Sequence, residues 1–146
     1  MQTPSPSPSP IPSPSPLPEP WRAPVDGVVT SLFGARINPV LQTVEVLHNG
    51  IDLAADIGTP AVAVADAEIT AIGESATYGL YVKYKTTDGY EIMYAHLSKT
   101  IAAVGEKVSR GGTIALTGNT GLTTGPHLHY TIWKDGNLLD PIDFLP

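Results

Sequence analysis

The stretch Leu80–Leu97, "LYVKYKTTDGYEIMYAHL", reads as two alternating runs of aliphatic, aromatic and polar residues joined by Thr-Asp-Gly. Asp-Gly favours the positive φ angles of a tight hairpin turn, and Val, Ile and Tyr suit a pleated, half-buried surface. The stretch predicts an antiparallel β-hairpin. The same texture continues on both sides. "GVVTSLF", "TPAVAVAD", "EITAIG", "TIALTG" and "HLHYTIW" are short apolar runs separated by glycine- and asparagine-bearing turns. They recur at a spacing of about ten residues, as in compact antiparallel folds. No segment keeps a 3.6-residue period over three turns. The expected fold class is mostly β, a compact antiparallel β domain.

Residues 1–20, "MQTPSPSPSPIPSPSPLPEP", differ in kind, with proline at every second position from Pro4 to Pro20. Such a segment lacks many N–H donors and cannot bury enough apolar surface to offset its ordering entropy. It is expected to be a linker, disordered or polyproline-II-like, with a reach of roughly 60 Å at about 3.1 Å per residue. The folded domain is assigned to 21–146.

The 146 residues suffice for one domain, and 42% of them are hydrophobic. The absence of cysteine excludes disulfides, thiolate metal sites and a cysteine nucleophile. Eight scattered basic residues and a net charge of −6 form no basic stripe, so nucleic acid is not an expected partner. No apolar run is long enough to span a membrane, and no signal peptide is visible.

The four histidines carry the chemical signal. In "GPHLHYTIW", His127 and His129 are two residues apart on a strand, so they project from one face while Leu128 faces away. The same rule puts Ile92, Tyr94 and His96 on one face of "EIMYAHL", with His96 at the strand's end. In "LHNGIDL", His48 and Asp52 flank Gly50, which allows them to converge from a turn or short irregular segment. Singly, each motif is ordinary. Together they point to one shared site, since every histidine lies in a turn-and-strand context bordered by glycine. Imidazoles with a carboxylate suit zinc in an open, catalytic site. There is no H-E-x-x-H to supply a glutamate base, so histidines left over from ligation are the candidates for proton transfer. No G-x-S-x-G elbow or Walker lysine is present.

The chain resembles the lysostaphin-type, LytM-like zinc endopeptidases of bacterial cell-wall hydrolysis. The resemblance rests on "GVVTSLFGARINPV", "HNGIDLAADIGTPAVA", "YGLYVKY", "YAHLS" and "VGEKVSRGGTIALTGNTGLTTGPHLHYTIWKDGNLLDPIDFL", in the family's order. It implies a sheet-floored groove and one Zn²⁺ per domain, with His48, Asp52 and His129 as ligands. His96 and His127 correspond to the two histidines that flank the metal and assist catalysis. Asn38 is a candidate counterpart of an upstream asparagine that blocks the metal in some relatives. Ala67, where the family usually has glycine, reads as a turn variation. The function implied is zinc-dependent hydrolysis of peptide bonds in peptidoglycan stems or cross-links. The alternative is a catalytically silent wall-binding, scaffold or activator module. The resemblance further implies action in the cell envelope or outside the cell, as a monomer, with no membrane contact by this chain itself although an anchor could precede it.

Overall fold

β-Branched and aromatic residues at alternate positions give this chain extended strands with one buried face. The computed structural model describes residues 21–37, 44–121 and 125–146, with 34–37 and 44–48 as backbone alone. The Pro/Ser-rich segment 1–20 lies outside the described residues. In chain order the strands are β1 (Val29–Ser31), β2 (Gly34–Ile37), β3 (Val44–His48), β4 (Ile51–Ala54), β5 (Pro60–Val62) and β6 (Ala67–Ser75). They continue with β7 (Gly79–Thr86), β8 (Tyr90–Thr100), β9 (Lys107–Val108), β10 (Thr113–Thr117), β11 (His127–Lys134) and β12 (Asn137–Leu139). A 3-10 turn at Pro141–Phe144 follows, N-capped by the Asp140 carboxylate. The expected antiparallel β fold is what the described residues form.

The main sheet runs β1-β4-β11-β8-β7-β6-β9, and β2 pairs with β3 separately. The β7–β8 hairpin turns through Thr87, Asp88 and Gly89, with Gly89 at φ 91°. Ala67 is no turn residue: it opens β6, paired with Thr86 and Val108.

Alternation assigns the two faces of the central strands. Val82 and Tyr84, Ile92 and Tyr94, and Leu128, Tyr130 and Ile132 are fully buried in the core. Core hydroxyls are partly tied down. Tyr84 donates to Tyr94 Oη at 2.6 Å, Tyr94 donates to Val62 O at 2.6 Å, and Val64 N–H donates to Tyr84 Oη. This relay fixes β5 and the chain after it beneath the sheet. Trp21 packs on Tyr90 and Phe144, with ring centroids at 5.1 and 4.8 Å. The opposite face presents His127, His129, Thr131 and Trp133 of β11 beside Ala95 and Met93 of β8, and floors a groove. No helix among the described residues is long and apolar enough to cross a membrane.

Candidate functional site

Antiparallel pairing sets His129 of β11 directly opposite Asp52 of β4. Directly opposed side chains share a face at close range. His129 Nδ1 accordingly lies 3.0 Å from Asp52 Oδ1, and His127 Nε2 lies 3.5 Å from the same oxygen. Leu128, between the two histidines, points the other way into the core. The i, i+2 reading of H-x-H therefore matches the structure.

The far side of the His129 ring is held by three residues. Nε2 is 2.9 Å from Asn49 Oδ1 and 2.9 Å from Thr131 Oγ1. Asn49 Nδ2 donates to Tyr78 Oη at 2.8 Å, which leaves its oxygen facing the imidazole. The network thus assigns the proton to Nε2 and turns the Nδ1 lone pair toward Asp52. Tyr78 also stacks on the ring, with centroids 5.7 Å apart.

His96 reaches the groove by a different route from the one its sequence position predicts. Simple alternation groups it with Ile92 and Tyr94, whose side chains are in the core. Between the pairs Leu80↔Leu97 and Val82↔Tyr94, β8 has two residues where β7 has one. This bulge, with His96 at φ 62°, re-aims the imidazole into the groove. A left-handed non-glycine residue costs about 1–2 kcal/mol. Its ring lies 4.9 Å from that of His127 and 6.0 Å from that of His129. Nor is His96 a strand terminus, since β8 runs on to Thr100.

His96 and His127 are both oriented by main-chain carbonyls. His96 Nδ1–H donates to Thr120 O at 2.7 Å, and His127 Nδ1–H donates to Gly125 O at 2.8 Å. In each ring Nε2 is then the basic nitrogen. Thr120 is clamped in turn: its hydroxyl donates to Leu97 O and accepts from Leu80 N–H. The backbones of Gly79 (φ 64°) and Gly121 (φ 80°) abut, so that a Cβ on either would collide with main-chain atoms. Burial pushes the His96 imidazole below its ordinary pKa, reinforced by His127 and His129 and opposed by the Thr120 carbonyl and Asp52.

His48 closes β3 opposite Gly34, and Asp52 stands inside β4. Strands thus flank the Asn49-Gly50 link on both sides, where a turn or irregular segment was expected to carry the two residues. The His48 side chain and Asn38 lie outside the described residues. Among the described residues no three His, Asp or Glu side chains form a ready metal cage. The donor chemistry nevertheless fits a metal. A carboxylate oxygen and an imidazole lone pair held 3.0 Å apart repel unless a cation or a proton lies between them.

Asn49, Thr131, Tyr78, Thr120 and Gly125 were not singled out by sequence reasoning for these roles. Thr131 had a legible signal, since it follows His129 by two residues on the same face. Asn49 lies beside His48, but nothing local points its amide at β11.

A model of Peptidase family M23 matches residues 46–141. The DD-carboxypeptidase/endopeptidase Mpg of Neisseria meningitidis serogroup B is 44% identical over 114 residues, covering 78% of this chain and 26% of that protein. The chain thus spans about a quarter of that curated relative. A zinc-containing peptidase from Vibrio cholerae superposes with a TM-score of 0.76 at 34% identity, over 84% of this chain and 39% of the other. The catalytic domain of the antimicrobial peptidase lysostaphin from Staphylococcus simulans gives 0.71 at 29% identity, over 81% and 91%. The family match takes in Asp52, His96, His127, His129 and most of the sheet that carries them: the chain belongs to peptidase family M23.

Proposed function

We propose that this protein is a zinc-dependent endopeptidase that hydrolyses peptide bonds in peptidoglycan stems or cross-links. The observation that carries the reading is the convergence of Asp52, His96, His127 and His129 on one groove, with His96 and His127 both anchored through Nδ1 to carbonyls. His48, Asp52 and His129 would hold Zn²⁺, a Lewis acid that acidifies water and polarises a scissile carbonyl. Asp52 and His129 contribute the carboxylate and the Nδ1 lone pair. Asn49 and Thr131 hold the His129 ring in place. His96, kept neutral by burial, takes up a proton at Nε2. His127, oriented by Gly125 O, donates a hydrogen bond to developing negative charge once protonated at Nε2.

The names of relatives, a DD-carboxypeptidase/endopeptidase and a zinc-containing peptidase, support a cell-wall peptide substrate and zinc. On this reading residues 21–146 are the catalytic domain, 1–20 its spacer, and the place of action the cell envelope. The test is zinc content together with release of peptide fragments from purified peptidoglycan, with and without a chelator. Chelator-sensitive release supports the reading. Stoichiometric zinc without release from any of several chemically distinct walls overturns it.

A further inference from the structure

The groove floor continues past the histidines. Met93 is paired with Thr131 on one side and with Lys83 on the other. Across β8, one rung from the His129–Ala95 pair, lies an open recess of about 430 Å³ lined by Ser75, Thr77, Tyr78, Tyr81, Lys83 and Met93. Tyr78 belongs to both places, since it lines the recess and stacks on His129. Tyr78 therefore joins the recess to the histidine cluster.

Lys83 is the single cation in that lining. Its Nζ lies 5.4 Å from the centroid of the Trp133 ring and 6.0 Å from that of Tyr81. Among the described residues no carboxylate pairs with it. In a chain with 14 acidic and 8 basic residues, an ammonium set beside two rings and outside any ion pair is notable, although Glu91, opposite Trp133 and Lys85, shares its face of the sheet. Tyr81 is also seated deliberately. It pairs with Gly73, where a Cβ would come within 2.6 Å of the phenol oxygen. A bare backbone at Gly73 lets the ring lie across β6 and wall the recess.

We propose that Lys83, flanked by Tyr81 and Trp133, binds a free carboxylate of the substrate peptide. The complementarity is direct, since an ammonium on a partly apolar floor gains from an anion more than a fully hydrated one does. Strand spacings of about 4.8 Å and a rise of about 3.4 Å per residue put the Lys83 backbone roughly 12 Å from that of His129. An extended peptide covers this in about three to four residues. The carboxylate read by Lys83 is thus some residues from the scissile bond and acts on binding rather than on bond breaking. This specificity rests on the endopeptidase reading above.

The test uses a synthetic cross-linked stem-peptide dimer in two forms, with its carboxylates free or all amidated. Wild type, Lys83→Met and Lys83→Arg are compared in cleavage kinetics. Binding of both dimers is measured separately by calorimetry in the presence of chelator. Expected for wild type is about tenfold tighter binding and lower KM for the free form, with similar kcat. Lys83→Met should lose that preference by weakening the free dimer alone, and Lys83→Arg should keep most of it. Equal affinity of wild type for both dimers, or equal weakening of both by Lys83→Met, overturns the proposal. Binding that follows the expected pattern without cleavage of either dimer supports the carboxylate site and counts against the endopeptidase reading instead.

Discussion

His129 Nδ1 and Asp52 Oδ1 face each other at 3.0 Å from directly opposed positions on β11 and β4. Two strands, rather than a loop, thus fix the distance between this carboxylate and this imidazole. Neither strand can slip by one residue without turning its own member of the pair to the core face.

The ligand roles and the catalytic roles separate by mutation. Asp52→Ala and His129→Ala should lose bound zinc together with activity. His127→Ala should keep about one zinc per chain while turnover falls about 10²–10³-fold, the usual worth of a hydrogen-bond donor to developing negative charge. Metal analysis beside peptide release checks both. Zinc loss in His127→Ala with retention in His129→Ala would exchange the two assignments.

Asn49 acts through His129. Asn49→Ala removes one of the two oxygens 2.9 Å from Nε2, the other being Thr131 Oγ1, and loss of such an outer partner typically weakens metal affinity 10–100-fold. Competition against a chromophoric chelator measures this without any turnover. Unchanged zinc affinity in a folded variant would leave the amide with no part in orienting the ring.

The bulge at His96 has a stability signature. His96→Ala and His96→Gly both remove the imidazole, so both should be nearly inactive. At φ 62° only glycine is relaxed, so the Gly variant should be about 1–2 kcal/mol more stable than the Ala variant. Denaturant titration of the pair checks it, and equal midpoints would mean that the left-handed turn carries no strain.

Alkaline pH should unfold the protein through its buried phenols. Burial raises the pKa values of Tyr84, Tyr94 and Tyr130 above that of a free tyrosine. The unfolded chain then releases these protons first. Their contribution is intact below about pH 10 and is lost as pH rises, at about 1.4 kcal/mol per pH unit for each residue. Denaturant midpoints measured from pH 8 to 11 should be flat and then fall. A flat profile throughout would show that the phenols ionise in the folded state.

Much of this was legible in the sequence because it depends on local periodicity. The hairpin follows from Asp-Gly turn chemistry, and the shared direction of His127 and His129 from strand alternation. The aim of His96 does not, because a bulge is an extra residue relative to a partner strand, and the partner is not visible from "YAHLS". The same holds for Asn49 and Tyr78, whose roles arise where separate strands meet. That Ala67 opens a strand instead of varying a turn was hidden for a related reason, since nothing in "VADAEIT" shows that two other strands pair with it.

The abutting backbones of Gly79 and Gly121 bear on how this protein could be diversified. Thr120, whose carbonyl orients His96, is pressed between them with no side-chain layer to spare. A library that varies the recess to recruit new substrates can sample Tyr81, Lys83 or Trp133, where Lys83 meets each ring through side chains alone. Variation at Gly79 or Gly121 would displace the carbonyl that orients His96. Evolvability is therefore unevenly distributed, high at the recess and low where the abutting glycines seat His96's carbonyl partner.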